Sequence, residues 1–141
     1  VFMREIDVAM AVIRQDDKFY LQLRSSKEEL GAAGLVGCFG GQVDTDEPAV
    51  KAVSREINEE TTLESSPTDF QWIGKVRVVS DRDLIKARIN ADVFGISIPP
   101  GTSVKARQGE LISWARDEIK ENQDKLTPAT RACFKYLIRI I

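Results

Sequence analysis

The stretch PAVKAVSREINEE can be helical only if one conflict is settled. Pro48 suits the opening of a helix, where its missing N–H costs nothing. At roughly 100° per residue, Val50, Val53 and Ile57 then share one narrow apolar face. Glu56 and Glu60 land on the flank of that face, and Glu59 lies further round, toward solvent. Like charges three and four residues apart on a helix repel, and half-buried carboxylates need compensation. Ala49 and Ala52 sit below the acids on the same flank and leave room in front of them. Arg55, near Glu59 on the wheel, is one cation against three anions. Such a helix must bury its Val/Ile face while keeping the acidic edge open. A hard divalent cation, which prefers oxygen ligands, would balance that edge; a solvated face with an ion pair or two is the ordinary alternative.

The rest of the chain supplies the layer for that face. REIDVAMAVIRQ alternates and then runs apolar, which predicts a strand over 6–14; Asp16-Asp17 is a turn, and KFYLQLR predicts a second strand over 18–24, closing a hairpin. The Gly-rich, small-residue stretch 25–41 reads as loop. The helix follows, to about Glu60. Further strands are expected over 70–79, 85–96 and 110–114, with a turn at PPGT and a short helix over 117–123. Thr127-Pro128 is an N-cap followed by Pro, and Phe134, Leu137, Ile138 and Ile141 recur at helical spacing, which predicts an amphipathic terminal helix. Strands, helix, strands, helix suit an α/β fold with a mixed sheet between helices. The two tryptophans, Trp72 and Trp114, are read as core ahead of stacking on a base, and Lys75, Arg77, Arg82, Lys86 and Arg88 mostly as solvated positions, with some facing phosphates as the alternative.

The chemistry is bounded by what the 141 residues contain. They suffice for one domain, 1–141. A net charge of −2 gives no global pull toward nucleic acid or acidic membranes, and no apolar run approaches the ~20 residues of a membrane span. There is no histidine, and the two cysteines, Cys38 and Cys133, lie far apart. That argues against the usual zinc sites and removes His-based nucleophile activation. Acid–base work falls to carboxylates, Lys, Tyr or metal-bound water. The cysteines read as buried thiols in a reducing compartment, the cytoplasm.

From Gly41, five residues lead to Glu47, and seven more to Arg55-Glu56; Ile57, Glu59-Glu60 and Leu63 follow. This closely resembles the Nudix box, G-x5-E-x7-R-E-U-x-E-E-x-G-U with U aliphatic. Thr62, in place of the last glycine, is the one mismatch at a specified position. The box spans 41–63; the strands before and after it and the terminal helix agree more loosely with a small, MutT-like Nudix domain.

The resemblance implies an α/β/α sandwich and a Mg²⁺- or Mn²⁺-dependent hydrolase of a nucleoside diphosphate linked to another moiety. It implies that Glu56, Glu59 and Glu60 ligate metal, that the Gly41 carbonyl adds a ligand, that Arg55 orients the glutamates, and that Glu47 holds the loop or the metal. Glu110, in GELISWARDEI, resembles the acidic residue the family draws from outside the box. Arg24 resembles an arginine often found near the phosphates or base. Phe39 stands where many members carry Pro, and Asp46 where many carry Gly; with Arg24, Phe39 and Thr130 are the residues expected to meet the substrate. Thr130 falls where MutT types read an oxidised guanine with asparagine, which counts against direct 8-oxoguanine readout. The expected substrate is a nucleoside triphosphate, oxidised ones included, cleaved to monophosphate and pyrophosphate; ADP-ribose or a nucleotide sugar, or nucleotide binding without catalysis, are the alternatives. The expected state is monomer or homodimer. Thr62 is expected to affect packing more than ligation, with the helix ending either in strain or by a different geometry.

Overall fold

The computed structural model describes residues 3–24, 34–80 and 86–141. Seven strands form one mixed sheet: β1 (Arg4–Gln15), β2 (Lys18–Leu23), β3 (Val36–Gly37), β4 (Phe39–Gln42), β5 (Gln71–Ser80), β6 (Ala87–Ser97) and β7 (Glu110–Trp114). The order is β3-β2-β1-β6-β5, with β4 paired to β1 and β7 to β2. β1 and β6 run parallel over the pairs from Arg4↔Ala87 to Arg14↔Ser97; the other pairings are antiparallel. The helices are α1 (Ala49–Glu60), α2 (Arg116–Glu121) and α3 (Pro128–Ala132).

Alternation along β1 decides the layers, because successive side chains leave a strand on opposite faces. Ala9, Ala11 and Ile13 pack with Phe39, Phe94 and the Ala52–Val53–Ile57 face of α1. Met10 and Val12 pack with Phe19, Leu21, Val93, Ile119, Leu126 and Phe134 on the other side. The sheet is therefore covered by α1 on one face and by α2 and the C-terminal segment on the other, the expected α/β/α arrangement. The hairpin also forms as expected: Gln15 pairs with Lys18, and Asp16 takes φ +54 in the two-residue loop.

Two expectations about the elements fail. The stretch read as loop over 25–41 contains β3 and most of β4; its residues 25–33 lie outside the described residues. Glycine hid the strand. Gly40 has φ +153, and a Cβ there would stand 2.2 Å from the Ala9 carbonyl oxygen, so β4 crosses β1 at a distance no side chain permits. The terminal helix also stops early. After α3, Cys133–Leu137 form one wider π turn, and Arg139 at φ +60 turns the chain back. Ile140 N then donates to Phe134 O at 2.7 Å. Ile138, Ile140 and Ile141 still pack on the core, so the apolar spacing marked burial, not a continuous helix.

Trp114 packs against the core, but Trp72 is 59% exposed, with Nε1 donating to Asp92 Oδ1 at 3.1 Å. It lies on β5, the strand at one end of the sheet order. Lys75, Arg77, Lys86 and Arg88 are exposed as expected; Arg82 lies outside the described residues.

Candidate active site

The loop from Val43 to Pro48 delivers the chain from β4 into α1. Asp46 takes φ +63 there, a conformation that glycine would adopt without strain and Asp tolerates. Pro48 caps the helix from outside, its carbonyl accepting from Lys51 N and Ala52 N, both at 3.0 Å. The Val/Ile face is then buried as the helical wheel requires. The carboxylates grade outward from it: Glu60 is 6% exposed, the Glu56 side chain 17% and the Glu59 side chain 54%.

Arg55 is the hub. Its Nε donates to Glu47 Oε2 at 2.9 Å and its Nη2 to Glu47 Oε1 at 3.0 Å, a two-pronged fork. Nη1 donates to Glu56 Oε1 at 2.8 Å and lies 3.7 Å from Glu59 Oε1. Nη2 also reaches the Gln42 carbonyl at 3.2 Å. Glu47 in turn accepts from Asp44 N at 3.0 Å, which closes the loop on itself. The Arg55 guanidinium and the Asp44 N–H together hold the Glu47 carboxyl down to about 2. Burial acts the other way on Glu56: desolvation raises its pKa, and Arg55 offsets only part of that.

Glu56 lies flat on Gly41. A Cβ at Gly41 would stand 2.5 Å from the Glu56 carboxylate carbon and 2.6 and 2.7 Å from its oxygens. Next to it, Gly40 N donates to Glu60 Oε1 at 2.9 Å. The two glycines of β4 thus form the floor on which two acids of α1 rest. Gly40 and Asp44 were not anticipated as partners of the acids; the doubled glycine was the available signal.

Thr62 resolves without strain. Thr61 leaves the helix extended, at φ −132, and its hydroxyl donates to Ile57 O at 2.7 Å. Thr62 is not among the positive-φ residues, and its backbone N donates to Lys105 O at 2.9 Å. The helix ends by running into the 105–108 segment, so no left-handed glycine is needed.

The remaining expected residues divide. Glu110 is exposed at the first position of β7, opposite Leu23, so Arg24 follows directly beside it. The segment leading to Glu110 is tied to α1, with Arg107 N donating to Glu60 O at 2.7 Å. Phe39 and Thr130 are placed elsewhere. Phe39 is wholly buried under α1. Thr130 is 1% exposed, with its hydroxyl accepting from Cys38 N at 2.9 Å and sharing a hydrogen bond with Thr127. Neither presents a side chain to a ligand in this arrangement; each carries packing instead.

The donor set suits a hard cation: three carboxylates on one flank, a main chain bare of side chains at Gly41, and no imidazole or exposed thiol. Among the described residues, no three acids are drawn round one point. Glu56 is turned onto Arg55, and Glu60 onto Gly40 N.

The NUDIX domain profile matches residues 3–133. The chain belongs to the NUDIX domain family. A CTP pyrophosphohydrolase of Escherichia coli (strain K12) is 28% identical over 127 residues, covering 90% of this chain and 87% of that protein. The crystal structure of a MutT protein from Methanosarcina mazei Go1 superposes with TM-score 0.78 at 23% identity, covering 99% of this chain and 96% of that one. A MutT NUDIX hydrolase from Burkholderia pseudomallei superposes with TM-score 0.69 at 25% identity, covering 94% and 97%. As a Nudix domain, the chain is a hydrolase acting on pyrophosphate bonds. No described helix is long and apolar enough to cross a membrane.

Proposed function

We propose that this Nudix domain acts as a single catalytic unit, monomer or homodimer, that hydrolyses a nucleoside triphosphate, oxidised forms included, to the monophosphate and pyrophosphate. Mg²⁺ or Mn²⁺ would be held by Glu56, Glu59 and Glu60 with the Gly41 carbonyl, and Glu47 fixes the loop. The observation that carries this is Arg55, which grips Glu47 in a fork and holds Glu56 over the bare main chain of Gly41. The likeness to a CTP pyrophosphohydrolase over nearly the whole chain favours a triphosphate among the possible pyrophosphate compounds. The two buried free thiols fit a reducing compartment, and we assign the cytoplasm.

When bound, a divalent ion would supply neutralisation of phosphate charge and a lowered pKa for water, which would serve a hydrolase that has no histidine. The chain's own part is positional. Arg55 holds the Glu56 carboxylate in place and offsets part of the burial that raises its pKa. Gly40 N–H holds the Glu60 carboxylate against β4. Glu110, exposed at the start of β7, takes the proton of the attacking water. Arg24, beside it, meets the nucleotide.

Purified protein is tested against nucleoside triphosphates, oxidised nucleotides, nucleotide sugars and ADP-ribose with Mg²⁺, Mn²⁺ or EDTA. Metal-dependent release of pyrophosphate from a triphosphate is expected, and Glu59→Gln abolishes it while the fold survives. Hydrolysis confined to ADP-ribose or nucleotide sugars would replace the substrate. A silent panel in which nucleotides still raise the melting temperature would mean binding without catalysis.

A further inference from the structure

The segment between the buried Val104 and β7 is fastened to the end of α1 at several points. Thr62 N donates to Lys105 O at 2.9 Å and Arg107 N to Glu60 O at 2.7 Å. Lys105 N donates back to Thr62 Oγ1 at 3.0 Å, and Thr61 and Ala106 form a bridge pair. The far side is fastened as well. Gln22, 1% exposed, donates Nε2 to Gln108 O at 2.9 Å. Gly109, at φ +67, passes so close to β2 that a Cβ would stand 2.6 Å from Leu23 O. The main chain around Arg107 is therefore fixed on both sides, and fixed to the residue whose carboxylate rests on Gly40.

The Arg107 side chain is exposed and makes no hydrogen bond or ion pair among the described residues. Arg55 differs: its guanidinium is engaged by Glu47, Glu56 and the Gln42 carbonyl. A substrate phosphate chain brings further negative charge to an edge that already carries three carboxylates. A guanidinium carried on main chain that is bonded to the end of α1, with its donors uncommitted, matches phosphate oxygens in pairs.

We propose that Arg107 binds the phosphate chain of the substrate, and that Thr62, in the place of the box glycine, is a positioning residue that holds the Arg107 segment to α1. This rests on the triphosphate reading above. A glycine at 62 would keep the backbone bond to Lys105 but lose the hydroxyl that accepts from Lys105 N, so the departure from the box and the exposed arginine have one explanation.

The test is pyrophosphate binding with Mg²⁺ by calorimetry, beside steady-state kinetics on the preferred triphosphate. Arg107→Gln weakens pyrophosphate about tenfold and raises KM by a similar factor, with kcat within about twofold; Arg107→Lys recovers part of the loss. Thr62→Val, which keeps the shape and removes the hydroxyl, shifts both quantities severalfold in the same direction, and Thr62→Ser restores them. Wild-type pyrophosphate affinity in Arg107→Gln overturns the assignment of Arg107, whatever the activity. Equal behaviour of Thr62→Val and Thr62→Ser overturns the role of Thr62. A wild type inactive on every triphosphate overturns the functional reading itself, a result separate from either.

Discussion

A Cβ at Gly41 would meet the mobile end of Glu56, whereas one at Gly40 would meet the backbone of Ala9. Adjacent glycines therefore fail differently. Gly41→Ala folds but displaces the Glu56 carboxylate, and turnover falls by roughly 100-fold or more. Gly40→Ala clashes with main chain at a φ that L-residues avoid and destabilises by roughly 2–4 kcal/mol. Thermal melts beside turnover separate the two, and a Gly41→Ala enzyme with wild-type kcat would remove Glu56 from the site. The acids also differ in the sign of their pH effect. Glu47 has a depressed pKa of about 2 against an ordinary 4.5, so its stabilisation is present above pH 4.5 and is lost as pH falls toward 2. Glu56 is raised above 4.5, chiefly by burial, so it opposes folding once pH rises past that value. In EDTA at pH 7, Glu56→Gln melts above wild type, by a few degrees if the gain is about 1 kcal/mol; the difference fades below about pH 4. A lower melting temperature at pH 7 would mean that the bond to Arg55 outweighs burial.

At the scale of elements, α1 and the C-terminal segment show two uses of helical spacing. In α1, the Val53–Ile57 face and the flanking acids follow from spacing, because twelve residues of uninterrupted helix keep one register. After α3 the register slips in the π turn at Cys133–Leu137. Phe134, fully buried, meets Phe19 edge-on at 5.6 Å between ring centroids and accepts at its carbonyl from Ile140 and Ile141. Packing at Phe134 governs how this segment lies, so Phe134→Ala costs roughly 3–5 kcal/mol in denaturant unfolding. A loss below about 1 kcal/mol would show that the segment docks without it.

At the scale of the whole molecule, the acids of α1 are brought to glycines of β4 and to the 105–108 segment by a sheet whose neighbours are distant in sequence. Metal binding by this assembly is linked to folding. Saturating Mg²⁺ at about 100 times its Kd adds roughly 2.7 kcal/mol, read as a rise in melting temperature that EDTA reverses and Glu59→Gln reduces. An unchanged melting temperature across a Mg²⁺ titration would count against a folded-state metal site. What the sequence by itself determined was local: the hairpin, α1 with its acids on the flank of the apolar face, the strand 110–114, and the spacing that joins Gly41, Glu47, Arg55 and the glutamates. These rest on periodicity, and periodicity is a property of neighbours along the chain. Tertiary structure decided the rest. Which acid is buried follows from how α1 seats on the sheet, and that β4 is a strand follows from its pairing with β1. The burial of Phe39 and Thr130, the exposure of Trp72, and the meeting of Arg107 with Glu60 depend on which surfaces pack together, because burial and contact are set by elements that close on one another only in the folded molecule.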